Sequence, residues 1–367
     1  MPQCGNDRAS PYGAGKYQAA NSDPASGLGS PEGARKSGKL NGIVTGTLLL
    51  LILLVVPAAA QEAALAVVQK ISGTVGFYTA EGKHLGDVKV DKHPHEAVLS
   101  PDKRFLYVTN NGILWMTDEG EGGNTISIVD VRSRTNVGTI DLGEYHRPHG
   151  IDLDPATGYL AVTIENPDGM ILVDPASRKV LRKFDVQGGD PHMVLFGPKA
   201  EWAYVSNTAT GTIAAVHVQT GETKLIPTDA RPQGLLFSHD GRILYATNSE
   251  GNSISIIDAQ KKERVGVIPV GNGAARVALT PDGKTLVYNL GLEDAMAFAD
   301  IATRKQTTVV KLTGRPLSLT MSRDGKTAYA GIQDQDKVVV ISVPDRKIKS
   351  VFATPKGSGP DPIIPLE

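Results

Sequence analysis

Five of the eight histidines fall in three short stretches of one kind: His93 and His95 in KHPHEAVLS, His146 and His149 in EYHRPHG, and His192 in GDPHMVLFG. Imidazole serves three chemistries. It titrates near neutral pH and so acts as a general acid or base. Its neutral nitrogen binds divalent metals at about 2.0 Å. It also donates and accepts hydrogen bonds to a polar ligand. Glu165, in LAVTIENPDG, is a carboxylate that would complete either of the first two. Read as a metal set, the residues are His95, His149, His192 and Glu165; read as an acid–base pair for a small ester or lactone, they are His149, or His95, with Glu165. The metal reading lacks an H-x-x-x-H spacing, since His146 and His149 lie three apart in a joint between strands. The catalytic reading lacks a nucleophile elbow or a serine or cysteine beside a base. The reading adopted at this level is a site that binds a small anionic or polar ligand without chemistry.

The elements that position these residues repeat. Segments opening at Pro94, Pro148, Pro191, Pro232, Ala275 and Pro316 succeed one another at 54, 43, 41, 43 and 41 residues. Each contains an apolar strand, a tight turn, a second strand rich in Tyr, Val and Thr, a loop, a third strand, a turn and a fourth strand. The first turn recurs as SPDK, DPATG, SHDG, TPDG and SRDG, where Asp bonds its own backbone and Gly accepts positive φ. The second strand recurs as FLYVTN, LAVTIEN, WAYVSN, ILYATN, TLVYN and TAYAG. Four-stranded units of about 42 residues predict an all-β propeller of antiparallel blades. Six units are complete. The seventh is split, with PDPIIPLE supplying an innermost strand and ALAVVQ, GTVGFYT and KHLGDVKV the other three, so the ends pair and close the ring.

FLYVTN, with the SPDK and TPDG turns, resembles the signature of the YVTN-repeat seven-bladed β-propellers over roughly residues 62–367. The resemblance implies the fold. Its superfamily includes lactonases, d1-haem domains, surface-layer proteins and exported binding proteins, and a shared fold does not choose among them.

In such a blade the joint before the first strand and the loop after the second open on one face, the top. Taking the residue after each junction places His95, His149, His192, Gln233, Arg276, Leu317 and Ile363 around the channel mouth; the residue before gives His93, Arg147, Asp190, Arg231, Ala274, Arg315 and Asp361. A basic throat is thus expected inside an acidic collar of loops. The ligand-binding set is His93, His95, Arg147, His149, His192, Arg231, Arg276 and Arg315, with Trp115 on an extra loop of blade one as a lid or contact residue.

Composition limits the alternatives. A 40% hydrophobic content supports a real core, and a net charge of −1 gives no general attraction to nucleic acid or anionic membrane. The bottom-face turns RSRT, ASRKVLRK, AQKKER, ATRK and PDRKIK are basic, which makes nucleic acid or a surface polymer a second alternative there; no aromatics interleave with the charges, and nucleic acid is not favoured. No haem-attachment run and no nucleotide signature is present, so a divalent metal is the one cofactor left in view. Cys4 is the only cysteine and disulfides play no part. Residues 1–42 read as a disordered leader rich in Gly, Ser, Asn and Pro; an initiation point further along the chain would leave it untranslated. IVTGTLLLLILLVVPAAA, residues 43–60, reads as a signal peptide cut after Ala60. The expected product is an exported monomer, periplasmic or secreted, with no membrane span, taking a small ligand or a protein or surface partner at its top face.

Overall fold

The computed structural model describes residues 62–367; the leader and signal-peptide readings lie outside the described residues. Seven four-stranded antiparallel sheets follow one another around a ring, as the repeat predicts. Blade one opens with Pro94–Leu99 and Phe105–Asn110, blade two with His146–Leu153 and Leu160–Asn166, and blade three with Pro191–Phe196 and Trp202–Asn207. In blade seven the C-terminal strand Pro360–Pro365 pairs with Leu65–Gln69, which pairs in turn with Thr74–Tyr78 and then His84–Lys89. Among the described residues the only helical segment is a 3-10 turn, Gln333–Gln335, and no helix is long and apolar enough to cross a membrane.

Burial follows strand position. The second strands are apolar on both faces because each lies between two neighbouring blades, and Phe105–Asn110 is buried from its second residue onward. Outermost strands such as Lys179–Phe184 are largely exposed. The core is a set of apolar clusters between blades. One joins Tyr107, Ile126, Ile128 and Ile140 of blade one to Ile151, Leu160, Val162 and Ile164 of blade two. Others carry blade seven onto its two neighbours, through Phe77 against Leu106 and through Tyr78 against Tyr329. Each large apolar side chain so buried contributes about 1.5–3 kcal/mol.

The bottom turns hold as their sequences indicate. Ser238 Oγ donates to Asp240 Oδ1 at 2.7 Å and accepts the Ile243 amide at 3.0 Å, while Gly241 adopts φ 68°. The basic residues at that end are partly structural. The Arg178 guanidinium occupies the space where a Cβ on Gly138 would fall, 2.5 Å from Nη2, and Arg304 sits in the same way over Gly266. These side chains pack over a glycine of the preceding blade.

Candidate functional site at the top-face mouth

A β-bulge shapes the start of the inner strand in six of the seven blades. In blade one Pro94 pairs with Asn110 and Ala97 with Val108, so that His95 and Glu96 together oppose the single residue Thr109. The same irregularity recurs in blades two, three, four, five and seven. A bulge re-aims side chains that a regular pleat would alternate. It lets two consecutive residues per blade serve the mouth.

The motif threonine fastens this arrangement. Thr109 Oγ1 accepts the Glu96 amide at 3.0 Å and donates to the His149 carbonyl of the next blade at 2.7 Å. Thr163 accepts the Gly150 amide at 2.8 Å and donates to the His192 carbonyl at 2.7 Å. Ser206 and Thr247 repeat the link to Gln233 and Ala275. Gly150 permits the close approach, since a Cβ there would lie 2.4 Å from the His192 carbonyl oxygen.

This register corrects the junction in two blades. Ala274, not Ala275, pairs with Leu290, and Pro360 pairs with Gln69. The residue after the junction is therefore Ala275 in blade five and Asp361 in blade seven, in place of Arg276 and Ile363; the residue before it is Gly273 and Gly359, in place of Ala274 and Asp361. The backbone explains the error. The preceding position is left-handed in six blades, at His93, Arg147, Asp190, Arg231, Gly273 and Gly359, with φ from 45° to 78°. Blade five has no junction proline to mark it, and PDPIIP in blade seven offers two. Arg276 remains at the mouth as the second bulge residue of its blade.

His95, His149 and His192 come together, each at 6% exposure or less. The His95 and His149 ring centroids are 4.5 Å apart and those of His149 and His192 4.3 Å apart. His95 Nε2 bonds the Ile113 carbonyl at 2.8 Å, and a carbonyl only accepts, so Nε2 carries the proton and Nδ1 the lone pair. His149 Nδ1 donates to Glu165 Oε1 at 2.7 Å, which turns Nε2 toward His95 Nδ1 at 3.4 Å. His192 Nδ1 is buried without a hydrogen-bond partner among the described residues. Burial, with the nearby Lys70 ammonium, holds His95 well below the ordinary imidazole pKa; burial, with His149 and Arg276, does the same for His192. Among the described residues no three histidine, cysteine or carboxylate side chains already stand together as a metal-binding group.

Around these rings the throat is electrically balanced, which its residue types alone do not reveal. Glu165 Oε2 pairs with Arg147 Nη2 at 2.8 Å, Lys70 Nζ with Asp361 Oδ2 at 3.0 Å, and Arg276 Nη2 with Glu96 Oε1 at 2.6 Å from opposite sides of the ring. Glu165 thus belongs to the throat. Lys70 and Glu96 were missed by reading only the residues flanking each junction. Their signals were available: Lys70 directly follows the second strand of blade seven, and Glu96 is the bulge partner of His95.

The remaining candidates have other places. His93 Nδ1 donates to the Lys70 carbonyl at 3.0 Å and ties blade one to blade seven. Arg231 stands 3.8 Å from Glu250 at the edge of the mouth, and Arg315 is half-buried in blade six. The extra loop of blade one lies against the site: Ile113 meets His95, and Arg147 donates to the Met116 and Asp118 carbonyls at 2.9 and 3.3 Å. Trp115 is a half-buried member of that loop, its amide bonded to Asp118 Oδ2 at 3.2 Å.

No protein-family model matches the chain, and no curated protein matches it. Solved structures do. The periplasmic gluconolactonase of Pseudomonas aeruginosa is 17% identical with TM-score 0.68, over 82% of this chain and 98% of its own. A protein of unknown function from Desulfotomaculum acetoxidans is 13% identical with TM-score 0.68, over 83% and 99%. The dihydro-haem d1 dehydrogenase NirN, in complex with DHE, is 13% identical with TM-score 0.61, over 83% and 75%. Likeness at these identities is likeness of fold. The seven-bladed propeller is therefore shared, while the YVTN name rests on the motif itself.

Proposed function

We propose that this chain is an exported propeller that binds a small polar ligand at its top-face mouth, on the cluster of His95, His149 and His192. One observation carries the reading. Three buried imidazoles meet at the mouth, where His192 Nδ1 has no hydrogen-bond partner among the described residues and His95 Nδ1 and His149 Nε2 face each other at 3.4 Å, whereas Lys70, Arg147 and Arg276 beside them are each held by a carboxylate. Buried polar atoms left without partners are uncommon in folded proteins, and at the end of a channel they mark where a ligand makes the missing bonds. Because the ion pairs neutralise one another, recognition falls to hydrogen bonding more than to net charge. Export is supported by the basic flank, the apolar run and the small residues ahead of Gln61.

A second reading, lactone hydrolysis, is favoured by one further observation: His149 is oriented by Glu165, which Arg147 holds in turn. That is the relation of a general base to the group that orients it. The gluconolactonase with the same fold gives the reading a substrate class to try.

The test is a thermal-shift series with sugar acids, their lactones and small dicarboxylates, run on the native protein and on His149→Ala and His192→Ala. Binding at the mouth predicts that at least one compound raises the native melting temperature by several degrees and that both variants lose the shift. A series without effect, or shifts unchanged in both variants, overturns the mouth as the site. Release of acid from gluconolactone, abolished in His149→Gln, would establish the second reading.

A further inference from the structure

We propose that His95, His149 and His192 form a mononuclear site for a late first-row divalent cation of the zinc class, with Glu165 and the Ile113 carbonyl holding the ligands instead of coordinating. The inference rests on the mouth being the working site and names what completes it.

The hydrogen bonds set the tautomers. His95 donates its Nε2–H to the Ile113 carbonyl and His149 its Nδ1–H to Glu165, which leaves His95 Nδ1 and His149 Nε2 facing each other at 3.4 Å. Two lone pairs at that range repel unless a proton or a cation lies between them. Two nitrogens bound tetrahedrally at about 2.0–2.1 Å stand about 3.3–3.4 Å apart, which is the separation found. The outer partners are those of metal-bound histidines, whose second nitrogen characteristically donates to a carboxylate or a backbone carbonyl. Glu165 therefore moves from ligand, as its residue type suggested, to the group that aims a ligand.

His192 supplies the third donor. It is 6% exposed, its ring abuts that of His149, and its Nδ1 has no hydrogen-bond partner among the described residues. Among the described residues no three such side chains already form a metal-binding group, so coordination requires His192 to turn about its own side-chain torsions when the ion binds. Nothing in the hydrogen-bond pattern ties its Nδ1 in place. A set of three neutral imidazoles selects zinc, copper, nickel or cobalt over magnesium or calcium, which take oxygen ligands. The surrounding cations do not forbid a metal, because Arg147, Lys70 and Arg276 are each neutralised by a carboxylate of their own. Three protein ligands leave a fourth position for water or for the polar ligand itself.

The experiment uses the exported protein, purified without refolding and freed of metal by a chelator, titrated with Co²⁺ and followed by visible absorption. The expected result is saturation at one ion per chain with the intense bands of tetrahedral cobalt, reversed by Zn²⁺. His95→Ala, His149→Ala and His192→Ala should each weaken binding by 100-fold or more, and Glu165→Gln by about 10–100-fold. His84→Ala, at an exposed site on blade seven, should leave binding unchanged. A native protein that shows only the weak spectrum of octahedral cobalt, or none, overturns the proposal without recourse to any variant; so does a folded His192→Ala that titrates like the native chain. The thermal-shift series on chelator-treated protein separates the two readings. Ligand shifts that depend on His149 without cobalt binding defeat the metal alone, and cobalt binding without any ligand shift defeats the ligand reading alone.

Discussion

Thr109 shows how single residues build this site. Its hydroxyl accepts the amide of a bulged residue in its own blade and donates to the carbonyl of His149 in the next. Replacing it by valine keeps the shape and leaves both groups buried and unpaired, which costs about 1–3 kcal/mol. Thr109→Val should therefore lower the denaturant midpoint by a matching amount with an unchanged slope, and Thr139→Val, at an exposed position of the outer strand of the same blade, should have little effect. Equal losses in the two variants would mean that the hydroxyl is not a link between blades. The same residue explains why the motif was legible but its purpose was not. Tyr, Val and Thr announce a strand, whereas the partner of the Thr hydroxyl lies 40 residues away.

At the scale of elements, the strand Pro360–Pro365 decides closure. Ile363 and Leu366 are buried, and Ile364 packs with the cluster that joins blades seven and one. Removing residues 360–367 strips blade seven of its inner strand and exposes an edge in the middle of the ring. The truncated chain should melt far lower, or be recovered only as aggregate, while a melting curve like that of the intact protein would refute closure through this strand. Period and strand chemistry made the seven blades readable. The bulge was not readable, because an extra residue in one strand is defined only by the register of its partner. That is why the mouth positions of blades five and seven slipped.

At the scale of the whole molecule, charge placed inside the ring couples stability to pH. Asp152, on the inner strand of blade two, accepts the Phe196 amide of blade three at 2.7 Å, and burial pushes its carboxyl up to about 6. A group raised above its unfolded value of about 3.9 stabilises the fold fully below that value and loses the contribution as pH rises through the folded one. The melting temperature should accordingly carry a component that declines from about pH 4 to just above 6. Asp152→Asn should remove that decline and leave the variant the more stable of the two at pH 7. Parallel profiles for both proteins would show that Asp152 is not the group responsible. The basic bottom face belongs to this scale as well, since Arg182 and Arg346 donate hydrogen bonds to the neighbouring blade there.

What the amino-acid sequence determined by itself was everything local or periodic. Short apolar runs rich in Tyr, Val and Thr, turns built on Asp and Gly, and a repeat near 42 residues specify a strand, a hairpin and a blade without knowledge of any distant contact. The repeat also put His95, His149 and His192 at equivalent places in adjacent blades, because equivalent residues of a closed ring share one face. Which atoms face which was decided only by the tertiary structure. The bulge offset, the tautomers imposed by the Ile113 carbonyl and Glu165, and the pairing of Arg276 with Glu96 across 180 residues of chain all depend on the size and closure of the ring. Closure brings Asp361 to Lys70 and Glu96 to Arg276, and so a throat that reads as basic by residue type folds around ion pairs, with the three imidazoles clustered beside them.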